Sequence, residues 1–449
     1  MRRGYWIVLA LVLALALGVL AAGCGTQTTT TSAPQTTEAT TATTQGPETT
    51  AGPATSATSA SSTTSTVAAN TAPLKIGVAI SLTGEAAAPC VQVKEAFETE
   101  ADYFNSSGGI NGRTVQLVFV DDRSVQDGAV AAIQSLIDQK VDIIVGPFAP
   151  WLMAGTRPLS EQAKILTINF GPATLDDLKD PAKYKYCFIP IYGADALANS
   201  ITKAVVMHGV KNVLSVGDQI TVDQDVLTLL GPALATAGVK YTKMTDSWAV
   251  SDTDVTPIAN KIAAKAKEVK PDAIVLMRNP IHENVLHKDL RSLGVTVPIY
   301  SSGSASLPVV YAKAAGNDPA NVAGDWVIGP AIVDPAQVPD TYPNKADLLA
   351  FIKRWQTKYP KEQGASIYLG HGYEIMHVIQ QAVANATTQT EDGWVASMEK
   401  LDWWGCQGHI VFSPTNHVEP QPQQGLFLWQ FVPGGGLKFI SDLGGLPTQ

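Results

Sequence analysis

The chain has 449 residues, with 31 Lys and Arg against 40 Asp and Glu and a net charge of −9 at neutral pH. An acid excess of this kind disfavours nucleic acid as a partner and otherwise speaks mainly of solubility. Hydrophobic residues make up 45% of the sequence, so a sizeable core is available, and the length exceeds what a single core usually holds.

At the start, Arg2 and Arg3 precede an uncharged apolar stretch from Tyr5 to Ala22, and Gly23 and Cys24 follow at once. This is the charge-then-apolar order of a secretory signal. An uncleaved anchor is the alternative, since roughly eighteen apolar residues can just span a bilayer. The run Leu20-Ala21-Ala22-Gly23-Cys24 resembles a bacterial lipoprotein processing site, with Ala21 where leucine is usual. That resemblance implies a signal peptide over residues 1–23, a lipid on Cys24, and an exported chain anchored to the outer face of the cell membrane. Residues 24–73 contain no Lys or Arg and are mostly Thr, Ser, Ala, Gly and Pro. They lack the apolar mass to offset ordering entropy and read as a disordered tether. As a flexible coil its ends would lie on the order of 40 Å apart; a glycosylated stalk would have the same geometry.

From Leu74 the chain alternates strand and helix. Leu74, Ile76, Val78 and Ile80 form an apolar run that stops at Thr83-Gly84, and Val93, Phe97, Ala101 and Phe104 then share one helical face. Gly108-Gly109-Ile110-Asn111-Gly112 supplies a helix cap and tight turn, because glycine takes up left-handed backbone angles without Cβ strain. Val115–Val120 reads as a strand closed by Asp121-Asp122, Asp127–Gln139 as an alanine-rich helix, and Val141–Val145 as a short β-branched strand ending at Gly146-Pro147. Further strands fall at Ile165–Asn169 and Val213–Val216. Such alternation implies α/β architecture with a mainly parallel sheet.

The segments LKIGVAISLTGEAA, FNSSGGINGR, VFVDDRSV and VDIIVGP, in that order and spacing, resemble the type I periplasmic substrate-binding proteins, the leucine/isoleucine/valine-binding branch above all. The resemblance runs from Leu74 to the end and weakens after Leu307. It implies two Rossmann-like lobes joined by a three-strand hinge, residues 74–192 and 326–402 forming the first and 193–325 and 403–449 the second. It also implies a monomer that captures a small molecule between the lobes and delivers it to the permease of an ABC importer. A tethered ligand-sensing receptor of the same fold is the alternative, and an enzyme on the same scaffold is a third reading.

Little in the residues favours catalysis. His282 and His287 bracket a helix-like run but stand five apart, about 140° around a helix, so they do not grip one metal. Asp121-Asp122 could suggest a cation site; a cap or hinge contact is the plainer reading. There is no phosphate loop with its lysine and no G-x-S-x-G elbow, so neither enzyme activity, cofactor nor metal is expected. His371 and His377 fall in an amphipathic helix, where solvation or packing explains them. With Cys24 assigned to the lipid, Cys90, Cys187 and Cys406 allow one disulfide at most and equally well none. Cys90 could meet a ligand or simply pack.

Ligands of open parallel sheets bind at the carboxyl ends of strands. The candidate contacts are therefore strand-end loops: Thr83, Gly84 and Glu85; Phe148, Ala149, Pro150 and Trp151; Gly171, Ala173 and Thr174 from the first lobe; Asp218, Arg278, Asn279, Ser302 and Gly303 from the second. Tyr192, near the first crossover, could stack on a ligand or pack the hinge. Family amino-acid binders hold the ligand carboxylate with a serine and its ammonium with an acid. The resemblance places Pro150 and Gly303 at those two positions, and neither has the required group. Phe148 and Trp151 add aromatic area and Arg278 offers a fork for a carboxylate, which favours a small organic or aromatic acid over a zwitterionic amino acid.

Overall fold

The computed structural model describes residues 72–277, 280–306, 319–362, 364–418, 425–433 and 435–446. The first sheet alternates with helices as β1 (Leu74–Ile80), α1 (Ala87–Ser106), β2 (Val115–Asp121), α2 (Gln126–Asp138), β3 (Ile143–Val145), α3 (Pro150–Ala163), β4 (Thr167–Ile168), α4 (Leu175–Lys179) and β5 (Cys187–Phe188). Its strand order is β2-β1-β3-β4-β5, with every pairing parallel. The predicted face of α1, Val93, Phe97, Ala101 and Phe104, is buried against it.

The chain then builds a second sheet from α5 (Ala194–Met207), β6 (Asn212–Gly217), α6 (Thr221–Thr236), β7 (Lys240–Lys243), α7 (Thr256–Val269), β8 (Ala273–Met277), α8 (Pro280–Ser292), β9 (Ile299–Ser302) and β10 (Trp326–Pro330). Three helices follow, α9 (Lys345–Lys358), α10 (Ile367–Ala384) and α11 (Glu391–Met398), then the hairpin β11 (Asp402–Trp404) and β12 (His409–Val411), and finally β13 (Leu426–Phe431) and β14 (Leu437–Asp442). The second sheet has the order β14-β13-β10-β9-β8-β6-β7 among the described residues, parallel from β7 to β10 and antiparallel at β13 and β14.

Two lobe boundaries fall elsewhere than expected. Trp326–Pro330, assigned from sequence to the first lobe, pairs parallel with β9 and antiparallel with β13 and so belongs to the second sheet. The chain then returns: Arg354 of α9 pairs with Glu100 of α1, and Trp355 Nε1 donates to Glu95 Oε2 over 2.9 Å. It stays with the first sheet through Val418, which bridges Ile189, and Phe412 packs edge-on against Phe188 at 5.2 Å.

The acidic pair after β2 secures the neighbouring loop. Asp121 accepts from Leu82 N, Thr83 N, Arg123 N and Thr83 Oγ1, and Asp122 accepts from Ser81 Oγ and Ser124 N. Such bonds tie two strand ends together before the chain turns into its helices. His282 and His287 go to separate partners. Trp248 Nε1 donates to His282 Nδ1 over 3.0 Å, and His287 Nδ1 lies 3.0 Å from Asp325 Oδ2. No helix among the described residues is long and apolar enough to cross a membrane.

Candidate functional site: an apolar cavity at the strand ends

Where the carboxyl ends of both sheets converge, a cavity of about 110 Å³ opens. The first sheet contributes Phe148, Pro150 and Trp151 from the turn after β3, and Ala86 and Pro89 from the start of α1. The second contributes Ile220, Val222 and Asp223 around the start of α6, and Ser302 and Ser304 after β9. Ile191, Tyr192 and Gly193 line it where the chain first crosses between the sheets. Ile367, Tyr368 and His371 of α10 close it.

Local sequence explains these positions. Ala149 is extended at the N-cap of α3 and Pro150 takes the first helical place, where its fixed φ fits and its missing N–H costs no helix bond. Pro150 thus presents a ring to the cavity with no donor, and Trp151 stands half-buried at the rim. Phe148 packs edge-on against Tyr368 at 5.7 Å and lies tilted against Phe170 at 5.6 Å. Gly171 permits that arrangement, since a Cβ there would lie 2.2 Å from the Phe148 carbonyl oxygen. On the opposite wall, a Cβ at Gly303 would lie 2.7 Å from Ile367 Cγ2 and 3.3 Å from the Tyr192 hydroxyl. Any larger side chain at 303 would have to displace the lining, so an acid there does not fit this arrangement. Ser302 and Ser304 share a 2.8 Å hydroxyl bond.

Of the residues singled out from sequence, the cavity brings together Phe148, Pro150, Trp151, Tyr192 and Ser302, with Gly303 just behind the wall. The others lie off its lining. Thr83 is bound to Asp121, Gly84 packs over Ser124 with φ 87°, and Glu85 is half-exposed beside them. Ala149 is buried under Leu152 and Ala129. Ala173 packs on Ile189 and Val418. Thr174 caps α4 through Asp177 and faces a second, more polar cavity of about 530 Å³, where Arg157 is paired with Asp177. Asp218 turns back to accept from Ile220 N over 2.9 Å. Cys24, Arg278 and Asn279 lie outside the described residues.

Sequence reasoning missed Asp223, Ile367, Tyr368 and His371. The first follows a strand-end loop by a few residues and could have been reached by extending that loop into α6. The other three sit on a helix remote in sequence from every strand end. The expectation that α10 is amphipathic is corrected: every residue from Ile367 to Ile379 is buried. Its polar groups mimic a solvated face in sequence, yet they have internal partners such as Phe170 O for His371 and Glu100 for His377. Cys90, Cys187 and Cys406 are free and buried, and burial raises each thiol pKa, that of Cys187 to about 12. Burial likewise holds the Tyr368 hydroxyl well above its usual range, with Tyr192 and Asp223 adding to the effect.

Residues 73–436 match the family model described as periplasmic binding protein. A curated relative, the Leu/Ile/Val-binding protein homolog 3 of Brucella melitensis, is 37% identical over 79 residues, 18% of this chain and 22% of that protein's length. Among solved structures, an extracellular ligand-binding receptor from Rhodopseudomonas palustris HaA2 superposes with a TM-score of 0.70 at 20% identity, covering 82% of this chain and 99% of its own. A solute-binding protein of an ABC transporter from R. palustris, in complex with benzoate, gives 0.67 at 16% identity over 84% and 98% of the two chains. The matched residues take in the first sheet, all of the second but β14, and the strand-end cavity, and the chain therefore belongs to the periplasmic binding protein family and has its type I α/β fold.

Proposed function

We propose that this protein captures a small molecule between its two lobes outside the cytoplasm and presents it to the permease of an ABC importer. The observation that carries this reading is a mostly apolar cavity whose walls come from both sheets and from the crossing segment at Tyr192. A ligand bound there touches both lobes, so it favours the closed arrangement by its differential affinity for that state. At about 110 Å³ the cavity is somewhat smaller than the roughly 150 Å³ apolar cavity that admits benzene, so it suits a small ligand, and a ring would need the walls to give slightly. The ligand class is amino-acid-like or a small organic or aromatic acid. The Leu/Ile/Val-binding relative supports the first and the benzoate complex the second. Energy for transport would come from the importer's own nucleotide site, and this chain would bind without turnover.

A thermal-shift screen of the full chain in mild detergent, against amino acids, short amides and aliphatic and aromatic acids, tests the proposal. A ligand at a hundred times its Kd adds about 2.7 kcal/mol of stability. We expect a hit whose stabilisation falls sharply in Trp151→Ala. A hit unaffected by that substitution, or by loss of the Tyr192 ring, would place the ligand elsewhere and refute the cavity as its site.

A further inference from the structure

Tyr368 carries a hydroxyl that the protein itself leaves unused at the wall of the cavity. The residue sits in the first turn of α10, lines the cavity and is 5% exposed. Its backbone is fixed from both sides. Ser366 Oγ accepts from Tyr368 N over 3.2 Å and donates to Gln92 Oε1 over 2.7 Å, and Gln407 Nε2 donates to the Ile367 carbonyl over 2.9 Å. The ring is held edge-on to Phe148 at 5.7 Å and tilted to His371 at 5.7 Å. Yet among the described residues no group hydrogen-bonds the hydroxyl, and its oxygen keeps a surface of its own, unlike the neighbouring His371 Nε2, which is sealed off. Because the residue forms part of the cavity wall, that surface opens on the cavity. Polar atoms of well-packed proteins nearly all have partners, so a hydroxyl left over at a binding cavity needs an explanation.

The hydroxyl is an O–H at every ordinary pH. Burial, then the Tyr192 hydroxyl, the Asp223 carboxyl and the Cys90 thiol, hold its pKa well above the usual tyrosine range. Of these neighbours, Tyr192 and Asp223 line the same cavity, so the hydroxyl end of the ring lies toward the wall built by the crossing segment and α6. A phenolic O–H donates better than it accepts, because the ring draws on the oxygen lone pair. The wall after β9 repeats the pattern. Ser302 and Ser304 share one hydroxyl hydrogen in their 2.8 Å bond, which leaves the other hydrogen for a further acceptor. Two walls of an otherwise apolar cavity thus offer O–H donors, while Phe148, Ile220, Val222 and Ile367 surround the ligand body.

On the reading that this cavity captures a small molecule, we infer that the Tyr368 hydroxyl is a specificity-determining contact that donates a hydrogen bond to an acceptor oxygen of the ligand. The class it selects is a compact apolar molecule ending in a carboxylate or an uncharged carbonyl. A hydrocarbon of the same shape leaves the hydroxyl unpaired when it fills the cavity. Such a bond raises affinity up to about tenfold for a neutral oxygen and about tenfold to a hundredfold for a charged one.

Removing this one oxygen separates the inference from the capture reading on which it rests. Isothermal titration of the full chain in mild detergent would compare wild type with Tyr368→Phe, using isovalerate, leucine and benzoate as carboxylates, benzamide as a neutral carbonyl and toluene as a probe without an acceptor. At least one oxygen-bearing probe should bind wild type more tightly than toluene does. In Tyr368→Phe a carboxylate probe should bind about tenfold to a hundredfold more weakly, benzamide up to about tenfold more weakly, and toluene as before. Because the hydroxyl has no internal partner, the ligand-free variant should melt within about 2 °C of wild type. Tyr373→Phe, which loses bonds to Asp347 and Asn344, should instead lower the melting temperature and leave probe affinity as it was. Unchanged affinity of Tyr368→Phe for every oxygen-bearing probe overturns the inference and leaves capture standing. An equal loss for toluene does the same, and so does a marked fall in the melting temperature of the ligand-free variant, which would show the hydroxyl spent inside the protein. Absence of binding by every probe overturns capture and the inference together. Where the variant does not fold, the wild-type comparison decides: toluene bound as tightly as the oxygen-bearing probes overturns the inference.

Discussion

At the scale of single residues, Glu374 shows how the fold sets a pH dependence. It sits mid-way along α10, fully buried, and its Oε2 accepts from Cys406 N over 2.6 Å and from Gln407 N over 3.4 Å. Burial pushes its pKa up to about 8, and these backbone donors recover only part of the loss. The folded state therefore keeps this proton to about pH 8, whereas the unfolded chain releases it near the ordinary glutamate value of 4.5. Its contribution to stability is present in full below about pH 4.5, declines through the interval and is gone above about pH 8. Glu391, raised to about 7 chiefly by burial, acts with the same sign. We expect the melting temperature to fall between pH 5 and pH 8, and Glu374→Gln, which mimics the protonated acid, to flatten part of that fall. An unchanged slope in the variant would show that Glu374 is not the group responsible. The sequence could not reveal this residue, because a glutamate in a helix normally signals a wet face. Only the placement of Gly405 against it, so close that a Cβ there would lie 2.1 Å from Oε2, shows the carboxyl enclosed. The same limit hid His371, whereas Phe148, Trp151 and Tyr192 were legible as large rings at a strand end or crossover.

At the scale of elements, the contact of α1 with α10 depends on Gly372. A Cβ there would lie 2.5 Å from Ala96 Cβ and 2.5 Å from the Val93 carbonyl oxygen. Two opposed effects meet in Gly372→Ala. Helix propensity gains about 1 kcal/mol, while forcing a methyl into a closed contact with backbone typically costs about 1–3 kcal/mol and more where the backbone must move. The clash should prevail, giving a net loss of up to about 2 kcal/mol, read as a lower urea midpoint with unchanged slope. A stabilised variant would mean that the two helices can separate freely. The existence and order of β1, α1, β2, α2 and β3 were legible from periodicity and glycine turns, and β2 begins at Val115 as expected. Strand ends were less so: Ile165–Asn169 yields only Thr167–Ile168 as β4, because neighbouring strands pair with it over two residues. The place of β10 in the second sheet was hidden, since its partners β9 and β13 are set by long-range pairing that leaves no local pattern.

For the whole molecule, the proposed lipid at Cys24 would hold the folded part at the membrane by a tether without lysine or arginine. Cys24→Ser should move the protein from the membrane fraction to the soluble one; continued membrane attachment would instead favour the apolar stretch Tyr5–Ala22 as an uncleaved anchor. The sequence by itself determined the α/β class, the family and the strand ends as the region of interest, because alternating periodicities and glycine turns are local and survive one-dimensional reading. Tertiary structure alone decided which residues meet: that Ile367, Tyr368 and His371 close a cavity opened by residues some two hundred positions earlier, and that Thr83 and Asp218 turn away from it. Contacts between distant segments depend on how sheets and helices pack, and side-chain partners such as the Phe170 carbonyl are fixed only when that packing is complete.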